Sequence, residues 1–251
     1  MGRIFMRKFV ITIQYNGKNY CGWQKNDNGK SIQEEVEKAL SSLFGVNTEA
    51  VGASRTDSGV SAKEYPVCFV ADTKLPTNRI PFKLNRFLPK DIQAYKVKEV
   101  DLDFNLRKSV LKKTYVYSIY VSEHTLPLIN PTAYKVDNLD EQAVKKALGY
   151  LVGKHDLTAF VTPGGDYTTP VKNIYSASLE QDGIVYKIKI CGDGFGYNTI
   201  RIIAGTLVKI GQSGNAEDFV KIMQSKNRQN AGITLPPKGL VLESVEVTYQ
   251  K

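Results

Sequence analysis

The hydrophobic period of this chain switches repeatedly between two and about 3.6. That switching constrains its fold more than any other feature. Over residues 8–15, Phe9, Ile11, Ile13 and Tyr15 share one face, as expected of a strand. Asn16-Gly17 then turns the chain. Ser31 opens a run with Ile32, Val36, Ala39, Leu40, Leu43 and Phe44 at helical spacing. Glu34 completes a capping box with Ser31, and Gly45 supplies the stop. Strands are expected near 48–53, 65–70 and 94–100, with an irregular or helical segment before the last. From Arg107 a similar order returns. Residues 113–121 alternate and are rich in Tyr. Asp140 caps a helix carrying Val144, Ala147, Leu148 and Leu151, ended by Gly153. Residues 174–179 and 184–191 form a hairpin across Gln181-Asp182-Gly183. Helices follow at 197–210 and after Asn215, and residues 243–249 make a last strand.

This order predicts an α+β fold made of two pseudo-duplicated halves, 1–106 and 107–251, each ferredoxin-like or RRM-like. A mostly antiparallel sheet flanked by helices is expected, with a central catalytic cleft. No low-complexity linker separates the halves, so a continuous sheet or a tight interface should join them. A chain of 251 residues is long enough to bury such a core.

Charge points to the class of partner. Lys and Arg number 34 against 25 acidic residues, a formal net charge of +9. That excess suits a polyanion such as nucleic acid, although a generally basic, solvated surface has the same count. Arg7, Lys8, Lys96, Lys98, Lys112, Lys113, Lys145, Lys146, Lys187 and Lys189 never form a long run, which favours a charged face over a basic tail. Tyr115 and Tyr117, just after Lys112 and Lys113, could stack on bases or simply line a half-buried strand. Cys21, Cys68 and Cys191 are odd in number and far apart, and His124 and His155 are the only histidines. Neither a disulfide framework nor a metal site is expected. No apolar run is long enough to span a membrane. The opening residues Met1 to Lys8 lack the apolar stretch of a signal peptide, so a reducing cytoplasm is the expected compartment.

The segment most suggestive of chemistry is Gly52-Ala53-Ser54-Arg55-Thr56-Asp57-Ser58-Gly59-Val60-Ser61-Ala62. Its glycines allow a loop that holds Asp57 ionised beside cationic and backbone donors, ready to act as a nucleophile or base. The same residues also read as an ordinary Asp-Ser-Gly turn with a solvated Arg. Arg201 lies among Ile200, Ile202 and Ile203. If buried there it needs a partner, for which Asp57 is a candidate; otherwise it snorkels to the surface. Gly29-Lys30-Ser31 has the tail of a phosphate-binding loop, but Gln24 stands where the upstream glycine is required. Gly192-Asp193-Gly194-Phe195-Gly196 lacks the dinucleotide spacing, though a helix starting there could point amides at a phosphate.

Taken in order, seven segments resemble the tRNA pseudouridine synthase A family over nearly the whole chain. They are Tyr20-Cys21-Gly22-Trp23-Gln24, Ser31-Ile32-Gln33-Glu34, Arg55-Thr56-Asp57-Ser58-Gly59-Val60, Lys113-Thr114-Tyr115-Val116-Tyr117, Gly153-Lys154-His155-Asp156-Leu157-Thr158-Ala159-Phe160, Arg201-Ile202-Ile203-Ala204-Gly205 and Leu235-Pro236-Pro237-Lys238-Gly239-Leu240. The chain departs from the family pattern at Ser54, where Gly is usual, and at Ser61, where His is usual. Gly196 replaces a common Leu, and Asn105-Leu106-Arg107 replaces His-Ala-Arg.

The resemblance implies isomerisation of uridine to pseudouridine at positions 38–40 of the tRNA anticodon stem-loop, on a nucleotide flipped out of its stack. It implies Asp57 as the catalytic carboxylate, Arg201 as the partner holding it ionised, and Tyr115 as the ring stacked on the base and a proton acceptor. Arg55 and Arg107 would contact the RNA, with Tyr115 and Arg201 sharing in substrate binding. No cofactor or metal is implied, and the family is homodimeric, each tRNA touching both subunits. Two readings from other classes remain. One is a catalytically silent RNA-binding protein or chaperone on this scaffold. The other is a nucleotide-dependent enzyme built on the Gly29 or Gly192 loop.

Overall fold

The opening alternation forms β1 (Met6–Tyr15) in the computed structural model, which describes residues 6–164 and 169–249. The segment 1–5, weighed above as the start of a leader, lies outside the described residues. Ser31 caps α1 (Ile32–Phe44) by accepting from the Glu34 amide at 3.2 Å. Only half of the expected capping box has its anticipated use, because the Glu34 carboxylate pairs with Lys38 at 2.7 Å. β2 (Ala50–Gly52), β3 (Ser61–Asp72), the short helix α2 (Ile80–Leu84) and β4 (Ile92–Val100) follow. β1 pairs antiparallel with both β3 and β4, and β2 pairs with β3. β3 runs well beyond the expected 65–70, because its ends are stitched to β1 and carry no distinct hydrophobic pattern.

One face of this sheet is covered and the other only in part, since Gln14, Lys96 and Lys98 stay exposed. Phe9, Ile11 and Ile13 are buried on one face, where Phe69 lies 5.4 Å from the Phe9 ring and 5.9 Å from Phe44 of α1. On the other, Val10, Ala53, Cys68 and Leu106 form a small core with Phe104, Val110, Val245 and Val247 packed against it. The last two belong to β10 (Leu240–Val247), which lies beside β3.

The second set of strands begins with β5 (Val110–Val121), which pairs parallel with β6 (Tyr134–Val136) and antiparallel with β9 (Val185–Gly192). β8 (Val171–Asp182) pairs antiparallel with β9 and with β7 (Gly153–Asp156). Among the described residues the helices that accompany them are α3 (Glu141–Leu151), α4 (Thr199–Ser213) and α5 (Glu217–Ser225). Asp140 caps α3 as expected, through the Ala143 amide at 3.0 Å. Gly153 does not end that helix; Val152 does, and Gly153 opens β7. Asn215 sits one residue before the cap of α5, which is Ala216.

By contacts the chain separates into residues up to Leu111 with those from Leu242 onward, and Lys112–Val241. The expected single cut at 106/107 therefore differs in two ways. The boundary lies within β5, and the last strand returns to the first unit. Alternation reports that a strand is half buried; it carries no information about which neighbour it joins.

Candidate active site

In the first unit the Asp57 loop is held by backbone groups of the Tyr20–Trp23 segment. Trp23 N–H donates to the Thr56 carbonyl at 3.2 Å, and Gly59 N–H to the Tyr20 carbonyl at 3.1 Å. The Ser58 hydroxyl also reaches the Tyr20 carbonyl, at 3.3 Å. Within the loop, Val60 N–H closes a turn on the Asp57 carbonyl at 3.1 Å. Gly22 makes this approach possible. Its φ is +92°, and a Cβ there would lie 2.5 Å from the Thr56 carbonyl oxygen. The family-like Tyr-x-Gly-Trp segment is thus a backbone clamp on the residue before Asp57. Gly22→Ala should lower stability by about 2 kcal/mol or more and turnover by about 100-fold, because the loop must move to admit the methyl. Thermal melts and single-turnover kinetics check both.

Beneath the loop is an aromatic floor. Thr56 is buried, and its hydroxyl lies 2.8 Å from that of Tyr15. Tyr65 packs against Trp23 at 4.6 Å with the rings tilted by 36°, meets Tyr15 edge-on at 5.5 Å, and donates to the Ser54 carbonyl. Neighbours packed at native density leave the loop few alternative positions. On this support Asp57 is half buried and Arg55 exposed. Arg107 is exposed too, and its Nε donates to the Gly52 carbonyl at 3.4 Å, at the root of the loop. Ser61 accepts from the Gly17 amide at 3.0 Å, so its hydroxyl ties the loop back to the end of β1.

In the second unit Tyr115 lies on β5 opposite Ile190 of β9 and is 7% exposed. Phe195, in the turn from β9 to α4, meets its ring edge-on at 5.5 Å. Two residues before, burial holds the Lys113 ammonium below its ordinary range; Lys172 adds to that and Asp193 opposes it. Two residues after, burial pushes the Tyr117 phenol well up, and its hydroxyl donates to the Pro236 carbonyl at 2.8 Å.

Arg201 lies in the first turn of α4, half buried. Its Nε donates to the Leu235 carbonyl at 2.7 Å and its Nη1 to Asn198 Oδ1 at 2.6 Å. Gly205, one turn on, lets the 231–235 segment approach: a Cβ there would collide with the Ile233 carbonyl oxygen. The Gly232 amide donates to the Thr206 hydroxyl at 2.9 Å. The Arg-x-x-x-Gly and Leu-Pro-Pro segments are therefore two sides of one packed crossing whose product is a fixed guanidinium.

The His-Asp segment has a different use. Asp156 accepts from the Thr158 amide at 3.0 Å and from its hydroxyl at 2.6 Å, and pairs with Lys226 at 2.8 Å. These contacts, led by the Lys226 hydrogen bond, hold its carboxyl below the usual range. A carboxyl with a depressed folded pKa adds stability that is complete above its unfolded value, about 3.9, and lost as pH falls through the folded one. Asp156→Ala should cost about 1–2 kcal/mol at neutral pH, shrinking in acid, with turnover per folded molecule unchanged. Denaturant melts at neutral and acidic pH check this.

Side chains of the two other candidate loops have partners within the chain. Ser31 is spent on capping α1, and Lys30 pairs with Glu35 at 3.2 Å. In the glycine turn, Asp193 accepts from the Asn173 amide at 3.1 Å. Among the described residues no cluster of three His, Cys, Asp or Glu could hold a metal ion, and no helix is long and apolar enough to cross a membrane. The roles of Asn198, Phe195 and the Leu235 carbonyl were not legible in the sequence. The helix was expected to begin at 197, which placed Asn198 inside it, and a carbonyl leaves no mark on residue identity.

Comparison with known proteins agrees with the motif reading. A family model described as tRNA pseudouridine synthase matches residues 11–107 and 147–250. The chain belongs to the tRNA pseudouridine synthase family. It is 40% identical to a protein of Acetivibrio thermocellus named tRNA pseudouridine synthase A over 246 residues, 97% of this chain and 100% of that one. It is also 40% identical to tRNA pseudouridine synthase A 2 of Clostridium perfringens over 242 residues, 96% of this chain and 99% of the other. A solved H/ACA RNP bound to a substrate RNA containing 2′-deoxyuridine aligns with 80% of this chain and 53% of its own, at 10% identity and a TM-score of 0.35. A likeness that distant carries no argument about the site.

Proposed function

We propose that this protein converts uridine to pseudouridine at positions 38–40 of the tRNA anticodon stem-loop, with Asp57 as the catalytic carboxylate. The observation that carries this reading is the clamped Arg55-Thr56-Asp57 loop in a chain of the tRNA pseudouridine synthase family. The reaction breaks the bond between uracil N1 and the ribose, turns the base, and joins C5 to the same sugar carbon. N1 gains a proton and C5 loses one, so no donor, electron or cofactor enters the balance.

The target uridine leaves its stack to reach the site, as nucleotides do for enzymes that act on a base. Asp57 adds to the sugar or the base and carries the intermediate through the turn. Arg201 pairs with Asp57, keeping it ionised and oriented. Tyr115 stacks on the turned base and accepts the proton lost from C5. Arg55 fills the space the base vacates or meets backbone phosphate, and Arg107 binds the substrate. The formal charge of +9 supports a salt-dependent grip on the RNA. The working enzyme is a cytoplasmic homodimer whose two subunits share each tRNA. Incubating pseudouridine-free tRNA transcripts with the protein and mapping pseudouridine tests the reading. New pseudouridine at 38–40 supports it. Binding without modification would leave a silent RNA-binding protein, and saturable nucleotide binding in a thermal-shift screen would favour the nucleotide-dependent alternative.

A further inference from the structure

Asn198, the residue before α4, is in the left-handed region with φ 61° and ψ 5°. For a residue with a Cβ that conformation costs roughly 1 kcal/mol. Its side chain stands where a helix cap belongs, yet makes no capping hydrogen bond. A cap is worth about 1 kcal/mol, so this start of α4 forgoes a common source of stability. The neighbouring Thr199 hydroxyl does not compensate; it is 1% exposed and without a hydrogen-bond partner among the described residues. Local stability has been given up twice at one helix start.

The Asn198 amide is used elsewhere. Its Nδ2 donates to the Thr162 hydroxyl at 3.1 Å, and its Oδ1 accepts from Arg201 Nη1 at 2.6 Å. Thr162 is itself fixed, because its N–H donates to the Tyr197 carbonyl at 3.1 Å. On the other side of the guanidinium, Nε is held by Leu235 at 2.7 Å. A guanidinium is planar, with five donors in a rigid fork. Anchoring it at Nε and at Nη1 sets its plane, and the direction of its remaining donors follows. The left-handed backbone is what carries the Asn198 side chain back over the first turn rather than onto the helix amides.

We infer that Asn198 is a positioning residue, one that sets the guanidinium plane of Arg201 without touching the substrate. The inference rests on the reading above that Arg201 acts on Asp57. The variant that separates this role from backbone strain is Asn198→Gly. Glycine adopts φ near +60° without penalty, so the backbone is relieved while both side-chain bonds are lost.

Single-turnover kinetics on tRNA, filter-binding affinity and thermal melts of Asn198→Gly and Arg201→Ala decide the matter. The expected result for Asn198→Gly is an unchanged or higher melting temperature, unchanged tRNA affinity, and a maximal rate about 10- to 100-fold lower. Asn198→Asp should slow the step as well, because its added carboxylate draws the Arg201 charge to itself. If Asn198→Gly reacts at the wild-type rate while Arg201→Ala is impaired, the positioning role is overturned. A melt below the assay temperature overturns it too, since the amide would then be supporting the fold. If Arg201→Ala itself reacts at the wild-type rate, the reading of Arg201 fails instead.

Discussion

Asp57→Asn should abolish pseudouridine formation, lowering turnover by about 10,000-fold or more while tRNA affinity stays within about twofold. An amide of the same shape preserves the loop, because the groups that hold it are backbone and neighbouring side chains: Trp23 N–H on Thr56, Gly59 N–H on Tyr20, and the Tyr15–Thr56 hydroxyl pair. What the substitution removes is the negative charge and, on the proposed reading, the attacking oxygen. The measurement is pseudouridine mapping after extended incubation of tRNA with each protein, alongside a filter-binding titration. Equal modification by both would sink Asp57 as the catalytic group. Lost binding together with lost modification would place the residue in RNA recognition instead.

Arg201→Ala should lower the maximal rate by about 100- to 1,000-fold. On the proposed reading the guanidinium steadies the catalytic carboxylate; losing one such donor costs about 3–4 kcal/mol, and each 1.4 kcal/mol is a factor of ten. The fold should survive, because α4 buries Ile200, Ile202, Ile203 and Leu207 independently of the arginine. Arg201→Lys keeps the charge but cannot hold both the Leu235 carbonyl and Asn198 Oδ1 in one plane, so it should recover only part of the rate. Rapid-quench single-turnover assays at saturating enzyme read the chemical step. A wild-type rate in Arg201→Ala would show that the residue serves only the packing of α4 on the 231–235 segment.

The two halves of the prospective machinery were legible in the sequence to different depths. The Arg55-Thr56-Asp57 loop announces itself through its glycines and one acid beside one base. The clamp that steadies it does not. Tyr20–Trp23 reads as a loop on its own, and only the fold shows that its Gly22 lies against the Thr56 carbonyl. Arg201 was visible as a charge in an apolar helix, but its anchors are a carbonyl from Leu235 and an asparagine in a left-handed turn. Both depend on dihedral angles and on chain crossings that residue identity does not encode locally. Short elements such as β6 and β7 were missed for a related reason. Three or four residues are too few to show a period, and they are strands only because a longer strand lies beside them.

Hydrophobic period, capping residues and glycine placement were enough, by themselves, to determine the α+β class and the main strands and helices of this protein. Read together with the spaced motifs, they also indicated the family to which it belongs. These are local properties, set by 2.0- and 3.6-residue repeats and by which side chains can satisfy a helix end. Tertiary structure alone decided that the last strand lies beside β3, that Asp156 braces a turn, and that Asn198 holds Arg201 rather than capping α4. Those outcomes depend on which surfaces meet, and the choice among satisfied partners is made by the packing of the whole unit.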